Sequence, residues 1–75
     1  MRTIKLNQIY KHYKGTKVLV LGVCKHSETL EDMVYYIHLE DGCSWVRPLK
    51  IFLEKVTHNG SKVVRFKILK KEILD

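Results

Sequence analysis

The stretch VLVLGVCKHSETLEDMVYYIHL, residues 18–39, decides the fold. Its first seven residues, 18–24, are apolar, short and rich in β-branched side chains, which predicts a strand buried on both faces rather than a helix. Gly22 inside that run predicts a bulge or bend, the device by which a strand curls around a small barrel. Residues 26–32 (HSETLED) are polar and interrupt the pattern. Thr29, with Asp32 three residues later, has the spacing to cap one helical turn, although Asp is shorter than the usual Glu or Gln. Residues 33–39 (MVYYIHL) then predict a second strand. Met33, Tyr35, Ile37 and Leu39 share one face, and Val34, Tyr36 and His38 share the other. Both faces are apolar enough that alternation alone does not select the buried one.

Working outward, the apolar stretch 9–13 precedes this pair across a turn at Lys14-Gly15-Thr16. On the other side, Glu40-Asp41-Gly42 is a turn whose glycine is free to take a positive φ. Residues 44–47 form a short strand that Pro48 ends, since proline has no N–H for a ladder. Pro48 is equally suited to the first position of a helical turn over 48–52. Asn59-Gly60 suits a type I′ turn, with 53–58 and 61–68 as its flanking strands. The tail 70–75 is either helical or frayed. Five short strands, tight turns and one or two single helical turns predict a mostly-β domain, a small SH3-like five-stranded barrel. Closure would remove the sheet edges that a small open sheet exposes. The alternative is an α+β roll, favoured if 48–55 or 67–75 is a true helix. Residues 1–75 form a single domain, its core barrel spanning about 9–68 and its two tails peripheral.

At 75 residues there is room for one domain only. A chain of this size hides about 60% of the surface its unfolded form exposes, so its core is thin, and either a monomer or a homodimer is compatible with it. The 45% hydrophobic and 29% charged fractions exclude the composition of a disordered chain. Residues 1–8 lack the apolar core of a signal peptide, and the run 18–24 is far short of a membrane span. Two cysteines, Cys24 and Cys43, lack CxxC spacing and are too few for a disulfide framework, which predicts reduced thiols in the cytoplasm. The net charge of +6 invites a polyanion, yet the lysines are spread along the whole chain without a basic block.

The chain resembles a bacterial family, the domain of unknown function 1653 family. The resemblance rests on Tyr10 with His12-Tyr13-Lys14-Gly15, on His26-Ser27-Glu28-Thr29 with Glu31, and on Val34 and Tyr36. It continues through Trp45-Val46-Arg47-Pro48 with Phe52, then Gly60 and Arg65-Phe66, and so covers about 9–68. Val64 stands where the family pattern often has proline, and Glu40-Asp41 replace a more aromatic segment. The resemblance implies a β-rich fold and carries no activity.

The most chemical-looking segment is His26-Ser27-Glu28-Thr29, placed in a loop, where function tends to concentrate. Neighbouring residues of an extended chain point apart, so His26 and Ser27 do not make a base–nucleophile pair by adjacency, and no Gly-x-Ser-x-Gly elbow is present. The structural role open to Ser27 and Thr29 is hydrogen bonding to backbone amides, with Glu28 and Glu31 solvated or paired to a lysine. His12, His26, His38 and His58, with Cys24 and Cys43, show no recurring metal-ligand spacing, so neither a metal nor a cofactor is expected. Trp45 and Arg47 share a strand face, with Tyr36 plausible on a neighbouring strand. A cation beside aromatic rings is one way of holding a base, a peptide or a carboxylate. The competing role makes Trp45 the largest core residue and Arg47 a side chain extending from the rim.

These features predict a non-enzymatic binding module for a protein segment or small ligand. Its surface would comprise His26, Ser27, Glu28, Thr29, Glu31, Tyr36, Trp45 and Arg47. Nucleic-acid binding on aromatic platforms is the alternative, opposed by the carboxylates of Glu28, Glu31, Asp32, Glu40 and Asp41 in the loops. A small enzyme using His26 and Glu28 comes last, and a membrane partner is not expected.

Overall fold

The computed structural model describes residues 4–69. Strands β1 (Gln8–His12), β2 (Lys17–Lys25), β3 (Asp32–His38) and β4 (Ser44–Pro48) follow one another, and helix α1 (Leu49–Leu53) comes next. The chain continues through β5 (Lys55–His58), β6 (Ser61–Val64) and β7 (Phe66–Ile68). One antiparallel sheet has the order β4-β3-β2-β1-β7, while β5 and β6 pair only with each other. The domain is thus mostly β, as its short apolar runs and tight turns require.

The expected closed barrel is corrected, because among the described residues β4 and β7 are the outermost strands of the sheet and do not pair with each other. The sheet does have five strands, and the β5–β6 ribbon adds two more. The stretch 61–68 breaks at Arg65, whose N–H donates to the Glu54 carbonyl at 3.0 Å and whose carbonyl accepts from Tyr13 N–H at 2.9 Å. That pair of bonds holds the β5–β6 ribbon beside β1 and delivers a separate three-residue β7 to β1. Strand β7 pairs with β1, and β4 pairs with β3, so the two do not meet in a ladder. Residues 48–53 resolve the two roles open to Pro48: it is the last residue of β4 and the N-cap of α1. The helix is five residues long, too little to make the α+β roll. The alternatives for 70–75 lie outside the described residues.

Local readings fare well at the turns. Gly15 at φ 109° and Gly42 at φ 74° occupy the left-handed region that their turns require. The ladder between β2 and β3 shifts register between Val20 and Gly22, the bulge that Gly22 foretells. Strand β2 is not buried on both faces, however. Val18 and Val20 are fully buried whereas Leu19 and Leu21 are half-buried and Val23 is exposed. Leu19 lies on the face that α1 leaves uncovered, whereas Val23, past the bulge, pairs with Val34 on the covered, concave face and is exposed all the same. The same asymmetry selects the buried face of β3, with Val34 and Tyr36 inside and Tyr35 outside. On the concave face, Tyr10, Val18, Val20, Val34 and Tyr36 meet Phe52 from α1 and Phe66 from β7. Phe52 and Phe66 stack with centroids 4.1 Å apart, and Tyr10 and Tyr36 approach Phe52 at 5.4 Å and 5.6 Å.

Asn59 and Gly60 take φ values of 52° and 78°, the left-handed pair of a type I′ turn, between His58 and Ser61. A side chain at Gly60 would meet the steric penalty of that region. Gly60→Ala is expected to lower the unfolding free energy by ~1–2 kcal/mol, read by urea denaturation; unchanged stability would contradict this account of the ribbon.

Candidate functional site

The polar features of the sequence fall on two different parts of the fold. His26, Ser27, Glu28, Thr29 and Glu31 form the tip of the β2–β3 hairpin. This tip extends past β1, whose pairing with β2 runs only from Lys17 to Val20. The loop holds itself together. Glu28 and Thr29 N–H donate to His26 Nδ1 at 3.1 Å and 3.3 Å, and Glu31 N–H donates to Thr29 Oγ1 at 3.2 Å. Backbone bonds His26–Glu31 and Leu30–His26, both 2.8 Å, close it, with Leu30 at φ 62°. The single turn that forms is closed by Leu30 N–H on the His26 carbonyl and starts at His26 rather than at Thr29, so the Thr29–Asp32 cap is corrected: His26 supplies the acceptor, and Asp32 pairs instead with Lys25 at 2.7 Å in solvent. His26→Ala is expected to cost ~1 kcal/mol of stability, since two amides lose one acceptor; thermal denaturation checks it, and no change would contradict it.

Tyr36, Trp45 and Arg47 lie together elsewhere. Tyr36 is opposite Trp45 and Val34 opposite Arg47 in the β3–β4 ladder, so all four side chains start from the concave face. Trp45 pairs with a residue four positions from Asp32, about 13 Å along the strand from the loop. Trp45 is 51% exposed and so is not the core residue of one sequence alternative. The indole is thus set back from the loop, whereas Arg47, opposite Val34, starts two positions from Asp32.

What surrounds Arg47 comes from the other edge. The sheet coils until the Arg47 guanidinium of β4 sits 5.6 Å over the Phe66 ring of β7. The two outermost strands thus face each other through side chains, leaving a cleft of about 200 Å³. Phe66, Tyr36 and Val18 form its apolar part, while His12, Lys14, Thr16, His38 and Arg47 supply polar groups. Trp45 stands at the rim, 5.5 Å from the His38 ring, which in turn stacks with Tyr36 at 6.0 Å. Among the described residues the ion pairs are Lys25–Asp32 and Arg65–Glu54, so neither Arg47 nor Lys14 has a carboxylate within 4.0 Å. A wider hollow of about 520 Å³ adjoins the cleft through Lys14 and Thr16, but Glu40 in its wall opposes an anion there.

His12 is the best-defined group in the cleft. It packs edge-on to Phe66 at 4.9 Å, and its Nδ1 accepts Lys14 N–H at 3.1 Å. The neutral ring therefore carries its proton on Nε2, as a donor. Burial pushes its pKa below the ordinary imidazole value, and the positive charges of Arg47, Arg65, Lys14 and His38 push it the same way. In the turn between β3 and β4, Asp41 accepts Cys43 N–H at 2.9 Å, and that bond holds its carboxyl below the usual range. The Asp41 charge raises the Cys43 thiol, the reverse of what an activated cysteine needs.

Sequence reasoning selected Tyr36, Trp45 and Arg47, but gave His12 and His38 no role beyond lacking metal-ligand spacing and read Lys14 as part of a turn. A usable signal was present. Alternation places His12 in phase with Tyr10, and His38 in phase with Tyr36, so each histidine belongs to the face of a buried tyrosine. Their meeting with Arg47 depends on the coiling of the sheet, which one sequence does not display. Among the described residues no group of three or more His, Cys, Asp or Glu side chains is arranged for a metal ion. No described helix is long and apolar enough to cross a membrane, and Cys24 and Cys43 are exposed free thiols.

Fold and cleft together define a small open-sheet β-domain whose concave face ends in a cationic, aromatic-lined mouth. The chain belongs to the DUF1653 family, described as a protein of unknown function, whose profile matches residues 8–68. A crystal structure of a DUF1653 protein from Bordetella bronchiseptica is similar to it, with 28% identity, a TM-score of 0.80 and 95% of each chain covered. Among curated proteins none matches the chain.

Proposed function

We propose that this domain is a binding module that captures an anionic group of a small ligand or chain end in the cleft between its sheet edges. The observation that carries this reading is Arg47, a guanidinium laid on Phe66 with no described carboxylate within 4.0 Å and facing His12, His38 and Lys14. Like charges gathered around a partly desolvated space repel one another, and an anion relieves that repulsion. Guanidinium and imidazole N–H groups are the donors that phosphate and carboxylate accept from. The cleft is smaller than the ~300–1,000 Å³ of sites for whole drug-sized ligands, which suits one charged group with the rest of its carrier outside. The HSET loop supports the hairpin tip in this reading and makes no contact with the anion.

The proposal ties binding to protons. An anion in the cleft offsets the charges of Arg47, Arg65, Lys14 and His38 that hold His12 low, so it raises the His12 pKa and binding takes up a proton. Sulfate, which keeps its charge near neutrality, is expected to bind more tightly as pH falls through the His12 titration, and to move that titration upward in NMR. The sign for the empty protein is opposite. A histidine whose folded pKa is depressed contributes stability above its unfolded value, and that contribution is lost as pH falls. A His12 titration unmoved by sulfate would contradict the reading.

A further inference from the structure

We propose that the anion captured here is a phosphate monoester joined to a planar ring, that is, a nucleotide or the terminal nucleotide of a strand. This rests on the anion-binding reading of the same cleft and adds the identity of the carrier.

The first argument is the direction of the donors. Arg47 reaches the cleft from β4, His12 from β1, and Lys14 with Thr16 from the turn between β1 and β2. A carboxylate presents its two acceptors in one plane, and a single guanidinium fork matches it. Groups converging from three elements match the three peripheral oxygens of a tetrahedral phosphate. A monoester also carries nearly two charges at neutral pH, which answers several cations better than one carboxylate does.

The second argument is Trp45. A half-exposed indole on an edge strand gains little from packing, and its neighbours His38 and Tyr36 continue from it as a run of rings into the cleft. Trp45 and Arg47 are two residues apart on one strand face, about 7 Å along the backbone. That step separates a ring platform from an anion socket, as a sugar separates a base from its phosphate. Stacking on aromatic side chains is how proteins hold bases without reading their sequence. The cleft takes the phosphate, and the base stays outside on the indole.

Trp45 is the chain's single tryptophan, so its fluorescence reports on this site. Inorganic phosphate, acetate, adenosine, adenosine monophosphate, and a short oligonucleotide with and without a terminal phosphate are titrated into the full chain. His12 ring shifts are followed in parallel. The nucleotide is expected to quench Trp45 and to bind at least about tenfold more tightly than phosphate or adenosine alone. Trp45→Ala should remove that gain while leaving the phosphate-induced His12 shift intact. The phosphorylated oligonucleotide binding more tightly than the mononucleotide identifies a strand end; equal or weaker binding identifies the free nucleotide. Acetate matching phosphate, adenosine adding nothing to phosphate, or the unphosphorylated strand binding as well as the phosphorylated one overturns this inference. If phosphate still shifts His12 in those cases, the anion-binding reading survives; if no anion does, both fall.

Discussion

Replacing Phe52 by alanine is expected to lower the unfolding free energy by ~3–5 kcal/mol. Phe52 is fully buried and is the side chain through which α1 covers the concave face. Its ring stacks on Phe66 at 4.1 Å and approaches Tyr10 and Tyr36, so three strands of the sheet lose an aromatic partner at once. A small domain has only ~5–15 kcal/mol in hand, and each kcal/mol is worth ~4–8 °C in Tm. The variant should melt far below the parent and approach unfolding under ordinary conditions. Phe52→Leu, which keeps most of the apolar volume, should lose much less. Differential scanning calorimetry separates the two. Equal melting of the alanine variant and the parent would mean that the core is centred elsewhere.

The second large effect concerns binding and leaves the fold alone. Arg47→Gln retains a hydrogen-bonding side chain on β4 but removes the charge and the fork. A charge-assisted hydrogen bond is worth ~1.5–3 kcal/mol, so affinity for inorganic phosphate should fall by roughly 10–150-fold. Arg47 is half-buried at a sheet edge and makes no described ion pair. Stability should therefore change little, and relief of repulsion with Lys14 opposes any loss of packing on Phe66. Calorimetric titration of parent and variant provides the comparison. Phosphate binding that survives the substitution would remove Arg47 from the site.

Much of the fold was legible because local rules and the fold agree. Gly22 marks the bulge, Asn59-Gly60 marks the ribbon turn, and Pro48 marks the boundary between β4 and α1. Closure of the sheet was not legible, because it turns on Arg65. A run such as 61–68 looks like one strand by composition, and only the bonds from Arg65 to Glu54 and Tyr13 split it. Burial of β2 was overestimated because a five-residue helix is short cover: Leu21 stays half-buried and Val23 exposed.

For the candidate site, the strand face carrying Trp45 and Arg47 followed from alternation and holds in the register. The link from that face to the HSET loop did not follow from any local rule. The register places His26 at one end of the β2–β3 hairpin and His38 at the other, with Lys25 opposite Asp32 and Val18 opposite His38. A histidine that reads as chemical in sequence proves to be a loop acceptor, while two that read as ordinary line the cleft. The distinction lies in the coiling that brings β4 toward β7, a long-range property of packing around Phe52 and Phe66 rather than of any short motif.

The most direct measurement is an NMR titration of the isotope-labelled protein with inorganic phosphate, following histidine rings, arginine side chains and the backbone together. The account predicts saturable shifts at His12, His38, Arg47 and Lys14, with the amides of His26, Ser27, Glu28 and Thr29 unmoved. Shifts centred on the 26–31 loop, or linear drift spread over all the lysines without saturation, would contradict it.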